Sequence, residues 1–235
     1  MHNNRYTFLY AIGLSIATAI ILVITSQQLK PLQDANFALD NKKSILKSVL
    51  IRSDDNVALE ETYDKSVEEL VINSKGEVLE GISVGSVDMK REVAKPAEER
   101  NLPLYVFSAE NGEKSYIVPL RGVGLWGPIW GYVALNDDFN TVYGAFFDHK
   151  GETPGLGAEI TEMPFQEQFK GKMIYNSANE FASINVLKAT TKSDVDPSNR
   201  VDGVSGGTIT SNGVDEMLRN CVEPYLTYFN KLKTN

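Results

Sequence analysis

The sequence predicts an α+β protein: one N-terminal transmembrane helix, then a domain whose antiparallel sheet is packed by helices from both ends of the chain. Three observations predict it. Residues 7–25, TFLYAIGLSIATAIILVIT, carry no charge. From residue 102 onward, runs rich in β-branched and aromatic residues alternate with glycine, proline and Asn-Asp breaks. Near the C-terminus, Val214, Met217, Leu218, Cys221, Val222, Tyr225, Leu226 and Phe229 recur at spacings of three and four, one face of a helix.

The uncharged run has 19 residues. At about 1.5 Å per residue it matches a bilayer core of roughly 30 Å. Signal-peptide cores run about 7–15 residues before a small-residue cleavage site, and the following SQQLKP is a weak site. The expectation is an uncleaved single-pass anchor over residues 1–26. Ala11, Ser15 and Ala19, and Gly13 and Ala17, repeat every four residues, which allows close helix approach in a membrane. Glycine and alanine are also common in any membrane helix. No acidic residue lies within the span, so this helix offers no ion site of its own. Arg5 precedes it and Lys30, Lys42 and Lys43 follow. Taken alone, that bias puts the domain in the cytoplasm, but long domains escape the rule and the side stays open.

Residues 27–75 read as a helical stalk and connecting segment. NFALDNKKSILKSVL (36–50) has a moderate helical pattern and ETYDKSVEELV a second short helix, while VINSKGEVLEG reads as a hairpin turning at SKG. Residues 76–235 form the main domain. Its strands are LPLYVFS, KSYIVPL, PIWGYVALN, TVYGAFF and INVLKAT (184–190). Pro224 interrupts the C-terminal helix because it lacks a backbone donor, and Cys221 on the apolar face reads as core.

Composition narrows the function. The chain has 235 residues, 42% of them hydrophobic, and a net charge of −8. That charge argues against a partner with a phosphate backbone, so no nucleic acid is expected. One cysteine rules out an internal disulfide and any CxxC-type metal site; no metal is expected.

The most unusual local composition is VDGVSGGTITSNGV, residues 201–214, just before the C-terminal helix. One reading is a nucleophile elbow, since Gly203-Val204-Ser205-Gly206-Gly207 fits G-x-S-x-G. The chain holds only His2 and His149, and no histidine follows Ser205, so the Ser-Asp-His order of the α/β-hydrolases is not met. A second reading makes Thr210 or Ser211 a helix cap. A third uses the free N–H groups and positive end of the helix dipole to hold a phosphate, with Gly206 and Gly207 letting backbone approach it and Thr208 at its position.

Here the residues carry a resemblance. DGVSGGT resembles the attachment motif of covalent FMN-binding domains, with Gly207 where the family usually has alanine, a smaller residue that should be tolerated. HKGETPGLG (149–157), the LPLYVF strand, RGVGLWGPIWGYVAL, the anchor and the LDNKKSIL stalk look like the C subunits of Na+-translocating NADH:quinone oxidoreductases along essentially the whole chain. The G subunits of Rnf complexes share the domain and the threonine motif; the stalk and GLWGP favour the sodium-pump family.

The resemblance implies FMN esterified through its phosphate to Thr208 by a dedicated flavin transferase, with Ser205, Gly206 and Gly207 beside the phosphate. It implies that the loop of Glu152, Thr153, Gly155, Leu156 and Gly157 lies against the flavin ring, with Leu156 as a wedge and Trp126 as an aromatic wall. Read without it, these are ordinary turn and core residues. Thr153 and Thr210 would bond ring or phosphate oxygens. Asp202 would act in attachment or in shaping the turn; Arg200 is either a phosphate counter-charge or an exposed surface arginine. The implied function is a one-electron relay from an iron–sulfur centre on the D and E membrane subunits to a covalent FMN on the adjacent B subunit. Sodium would cross elsewhere in the complex. The domain would stand on the periplasmic side of a bacterial inner membrane. The alternative from another class is a membrane-anchored interaction protein without flavin.

Overall fold

The computed structural model of the chain describes residues 4–234. The chain divides into two units, one up to Lys42 and one from Lys43 onward. The first is the body of α1 (Asn4–Ser48), the one helix among the described residues long and apolar enough to cross a membrane. Hydroxyls in hydrocarbon need internal partners. Ser15, Thr18 and Thr25 donate to the carbonyls of Ala11, Leu14 and Ile21 one turn earlier, the local bond that helices offer such residues. His2 lies outside the described residues.

The second unit is built on a five-stranded antiparallel sheet in sequential order: β1 (Val67–Asn73), β2 (Asn101–Ser108), β3 (Lys114–Val123), β4 (Pro128–Asn136) and β5 (Val142–His149). Three short helices surround it, α2 (Asn56–Ser66), α3 (Met89–Glu92) and α4 (Met163–Gln166), and a parallel pair of three-residue strands, β6 (Asn185–Leu187) and β7 (Arg200–Asp202), stands apart. The chain ends in α5 (Thr208–Val222) and α6 (Leu226–Thr234).

Both faces of the sheet are buried. Leu104, Val106, Val118, Leu120, Val133 and Phe147 join Met217, Leu218, Tyr225 and Phe229 in one core. Tyr132, Ala134, Ile117 and Phe146 point the other way, onto Ile45, Leu46, Leu59 and Tyr63. Successive strand residues alternate between faces, so Phe146 and Phe147 enter opposite cores. This is why the strands read as continuous apolar runs rather than as an alternation.

Three local expectations change. The helix expected over ETYDKSVEELV is half strand: α2 starts earlier, with Asp55 Oδ1 accepting from the N–H groups of Val57 and Ala58, and Val67 onward is β1. Pairing along the whole of β1 with β2, from Val67 opposite Phe107 to Asn73 opposite Asn101, outweighs the helical period there. The SKG turn forms, but its return arm reduces to one bridge, Ile72 to Val78. INVLKAT contributes only three strand residues, because its partner β7 is equally short.

The C-terminal helix behaves as its sequence requires. α5 stops at Val222, Glu223–Tyr225 forms a single tighter turn around Pro224, and α6 resumes at Leu226. Cys221 is buried, and burial pushes its thiol up to about 11. At Gly213, α5 meets β3 with no side chain between them: a Cβ there would fall well inside contact distance of the Val123 carbonyl oxygen.

Two outcomes follow. Gly213→Ala forces α5 off β3, and overpacking of this kind costs about 1–3 kcal/mol, read as a lowered urea midpoint of the full chain in detergent. Cys221, protonated at neutral pH, resists iodoacetamide in the folded protein and reacts once it is denatured; equal reaction in both states contradicts the buried placement.

Candidate functional site

The loop of residues 203–207 delivers the chain from β7 into α5. It is held at three points. The Gly203 N–H donates to the Leu187 carbonyl at 2.7 Å, the Gly207 N–H to the Val204 carbonyl at 3.1 Å, and the Val204 N–H to Ser211 Oγ at 2.9 Å. Gly206 takes a positive φ of 75°, a conformation that costs glycine little. Leu156 lies directly over it.

The expected hydroxyl cap is replaced. The N-cap of α5 is Gly207 and carries no side-chain cap, while Thr210 and Ser211 lie buried inside the first turn. Their hydroxyls face the body of the protein instead, Ser211 toward Val204 and Thr210 toward Glu152. The first N–H groups of any helix lack intrahelical acceptors, and among the described residues nothing accepts from those of Thr208, Ile209 and Thr210. Thr208 is the first helical residue and is exposed.

Glu152 ties this turn to the rest of the site. It is 5% exposed. Its Oε2 accepts from Thr210 Oγ1 at 2.6 Å and its Oε1 from the Trp126 N–H at 2.8 Å. Its own N–H donates to His149 Nδ1 at 3.1 Å. The loop between β3 and β4, the loop after β5 and the start of α5 therefore meet on one carboxylate.

Two depressions flank Thr208. The larger, about 600 Å³, is lined by the 186–191 segment together with Val204, Ser205, Ser211 and Asn212. The smaller, about 220 Å³, is lined by Leu125, Glu152, Thr153, Leu156, Gly157 and Ile209, among others. Gly206 and Thr208 line both. Of the residues singled out from sequence, Ser205, Gly206, Gly207, Thr208, Thr210, Glu152, Thr153, Leu156 and Gly157 border one or other depression. Gly155 and Trp126 do not; Trp126 is 68% exposed. Arg200 and Asp202 also border neither; they form an ion pair at 3.5 Å on β7. His149 lines neither, and its Nδ1 is occupied, so among the described residues no histidine is assembled with Ser205. Leu125, Ile209 and the Lys188–Thr191 segment were not legible. Ile209 alone left a trace, as an apolar residue off the buried face of α5.

The comparisons bear on what this arrangement belongs to. An FMN-binding domain matches residues 124–223, which include the β3–β4 loop, the Glu152 loop and all of α5. The C subunit of the Na+-translocating NADH-quinone reductase from Haemophilus ducreyi is 32% identical, over 95% of this chain and 93% of its own. The chain belongs to this C-subunit family. The Vibrio alginolyticus member is 31% identical, over 86% and 84% of the two chains. The crystal structure of the Parabacteroides distasonis member superposes with a TM-score of 0.77 at 40% identity, over 86% of this chain and 96% of that one. Shewanella oneidensis NqrC gives 0.70 at 28%, over 83% and 97%. Within the family frame, Gly207 is tight: a methyl group there would meet Val204 Cγ1 at 3.1 Å and the Gly157 Cα at 3.2 Å.

Ser205 in the loop and Ser211 in the first turn of α5 separate by experiment. Ser211→Ala removes the acceptor of the Val204 N–H and costs about 1 kcal/mol, while Ser205→Ala, which breaks no bond with the described residues, leaves the urea midpoint unchanged.

Proposed function

We propose that this chain is the electron-carrying C subunit of a membrane-bound, Na+-translocating NADH:quinone oxidoreductase, and that it holds FMN as a phosphoester on Thr208. The observation that carries the reading is the position of Thr208. Its exposed hydroxyl stands at the first turn of an uncapped helix, between two depressions and beside free N–H groups.

The residues present fit the group. Free amides and the positive end of the α5 dipole suit a phosphate. A glycine pair keeps side chains away from it, and Leu125, Leu156 and Ile209 offer the apolar surface that a flavin ring favours. Bound there, FMN supplies reversible electron uptake, chemistry that protein side chains lack. The chain's own part is to bind and orient. Thr208 fixes the phosphate, the N–H groups of Thr208 to Thr210 neutralise it, and Leu156 limits swing by covering Gly206. Thr153 provides a hydroxyl at the wall of the smaller depression. Asp202 and Arg200 shape the turn from β7 rather than touching the ligand.

As the electron carrier, the chain would receive electrons from an iron–sulfur donor on the D and E membrane subunits and hand them to the flavin of the B subunit. A flavin transferase would make the phosphoester. α1 serves as a single-pass anchor in the bacterial inner membrane, with the domain on the periplasmic side, an orientation that a domain this long permits despite the lysines after the span.

The test is in-gel fluorescence of denatured protein made in a host that supplies the transferase. The wild type fluoresces after denaturation and Thr208→Ala is dark, with Ser205→Ala still bright. A dark wild type, with the transferase active on a control flavoprotein, removes the carrier reading in favour of an anchored interaction protein.

A further inference from the structure

We infer that Glu152 tunes the flavin site electrostatically: its buried carboxylate, clamped between Trp126 and Thr210, is a fixed negative charge that holds down the reduction potential of the flavin on Thr208. This rests on the flavin reading above and deepens it.

The site around the carboxylate is built for it. A Cβ on Gly124 would stand 2.6 Å from Glu152 Oε1, and one on Gly157 would stand 2.5 Å from Oε2. Two glycines therefore leave the space that the carboxylate fills. Both oxygens accept hydrogen bonds, one from a backbone N–H that can only donate. An ionised carboxylate satisfies both partners at once, with each oxygen accepting. No cation pairs with Glu152 among the described residues, since its partners are an amide and a hydroxyl. The charge is thus held by dipoles and not cancelled by an ion, and it lines the smaller depression directly.

The electrostatic consequence has a definite sign. An electron taken up from the iron–sulfur donor would add one negative charge to the ring and would leave again to the next flavin. Glu152 neither gives nor takes the electron and forms no bond in the process. A like charge nearby in a partly dry site makes the added electron less favourable, so the carboxylate lowers the potential. The hydroxyl of Thr210 moderates it by donating to Oε2. Glu152 is a positioning and tuning residue in this account, and no substrate contact is assigned to it.

The experiment is redox titration of the flavinylated full chain in detergent, beside Glu152→Gln, Glu152→Asp and Thr210→Val. Covalent flavin is quantified first by in-gel fluorescence. Glu152→Gln raises the potential by roughly a tenfold shift in the reduced-to-oxidised ratio, about 59 mV for a one-electron couple. Glu152→Asp keeps the charge and stays near the wild type. Thr210→Val removes the moderating hydroxyl and moves the potential the opposite way, which also reads the proposal if Glu152→Gln does not fold. A flavinylated Glu152→Gln with the wild-type potential overturns the inference while leaving the flavin reading intact. So do Glu152→Gln and Thr210→Val shifting with the same sign. A wild type that never carries flavin overturns the reading beneath it.

Discussion

The approach of α5 to β3 governs the geometry of the site. A helix packed through large side chains can slide or tilt by small amounts as those side chains change rotamer. α5 has little such freedom at Gly213, where its backbone meets the Val123 carbonyl with no room for a methyl group. Val214, Met217, Leu218 and Cys221 then extend the contact down the buried face. Because the helix is fixed against the sheet at its first turns, its N-terminus is fixed too. The loop of residues 203–207 has to end where that helix begins, and Thr208 is placed by β3 more than by its own neighbours.

Glu152 completes the arrangement from the opposite side. The β3–β4 loop and the loop after β5 are both exposed, and exposed loops are ordinarily the mobile parts of a fold. Here they share one buried carboxylate with the first turn of α5. A single buried acceptor satisfied by donors from two segments specifies their separation as well as joining them, since leaving either donor unpaired in the interior would cost roughly 1–3 kcal/mol. Leu125 and Leu156 are carried on these loops, so the wall of the smaller depression is as ordered as the carboxylate that anchors it.

How much of this was legible depends on the range of the interaction. Strands β2 to β5 could be read because burial on both faces makes each a dense apolar run, and α5 because one face repeats with the helical period. Pro224 acted through local backbone chemistry and ended α5 where expected. Val67 to Val71 failed because VEELV also suits a helix, and only its pairing with β2, more than thirty residues later, decides the matter. β7 is three residues long and pairs across a gap in sequence, below what any periodicity can reveal. At the site, the motif pointed to Thr208, but the bond between Thr210 and Glu152 spans 58 residues. Neither partner's local sequence announces the other, and Lys188 and Ile209 reach the depressions only through the tertiary fold.

The crowding of hydroxyls around the start of α5 now has a physical explanation. A serine or threonine at the N-cap is worth about 1 kcal/mol because it satisfies an orphan amide. This helix forgoes that bond, with glycine at the N-cap, although three hydroxyls lie within the next four residues. Ser211 turns back to hold Val204, and Thr210 turns inward to Glu152. Both therefore stabilise the loop and the wall rather than the helix end. What remains at the surface is a set of unpaired amides and the hydroxyls of Ser205 and Thr208. Ser205 borders only the larger depression, whereas Thr208 borders both. A group held on Thr208 has the amides beside it and apolar surface within reach, and a group held on Ser205 would begin on the far side of Gly206 from Leu125 and Ile209. The helix gives up its cap, and the free amides stand next to the one hydroxyl that both depressions share.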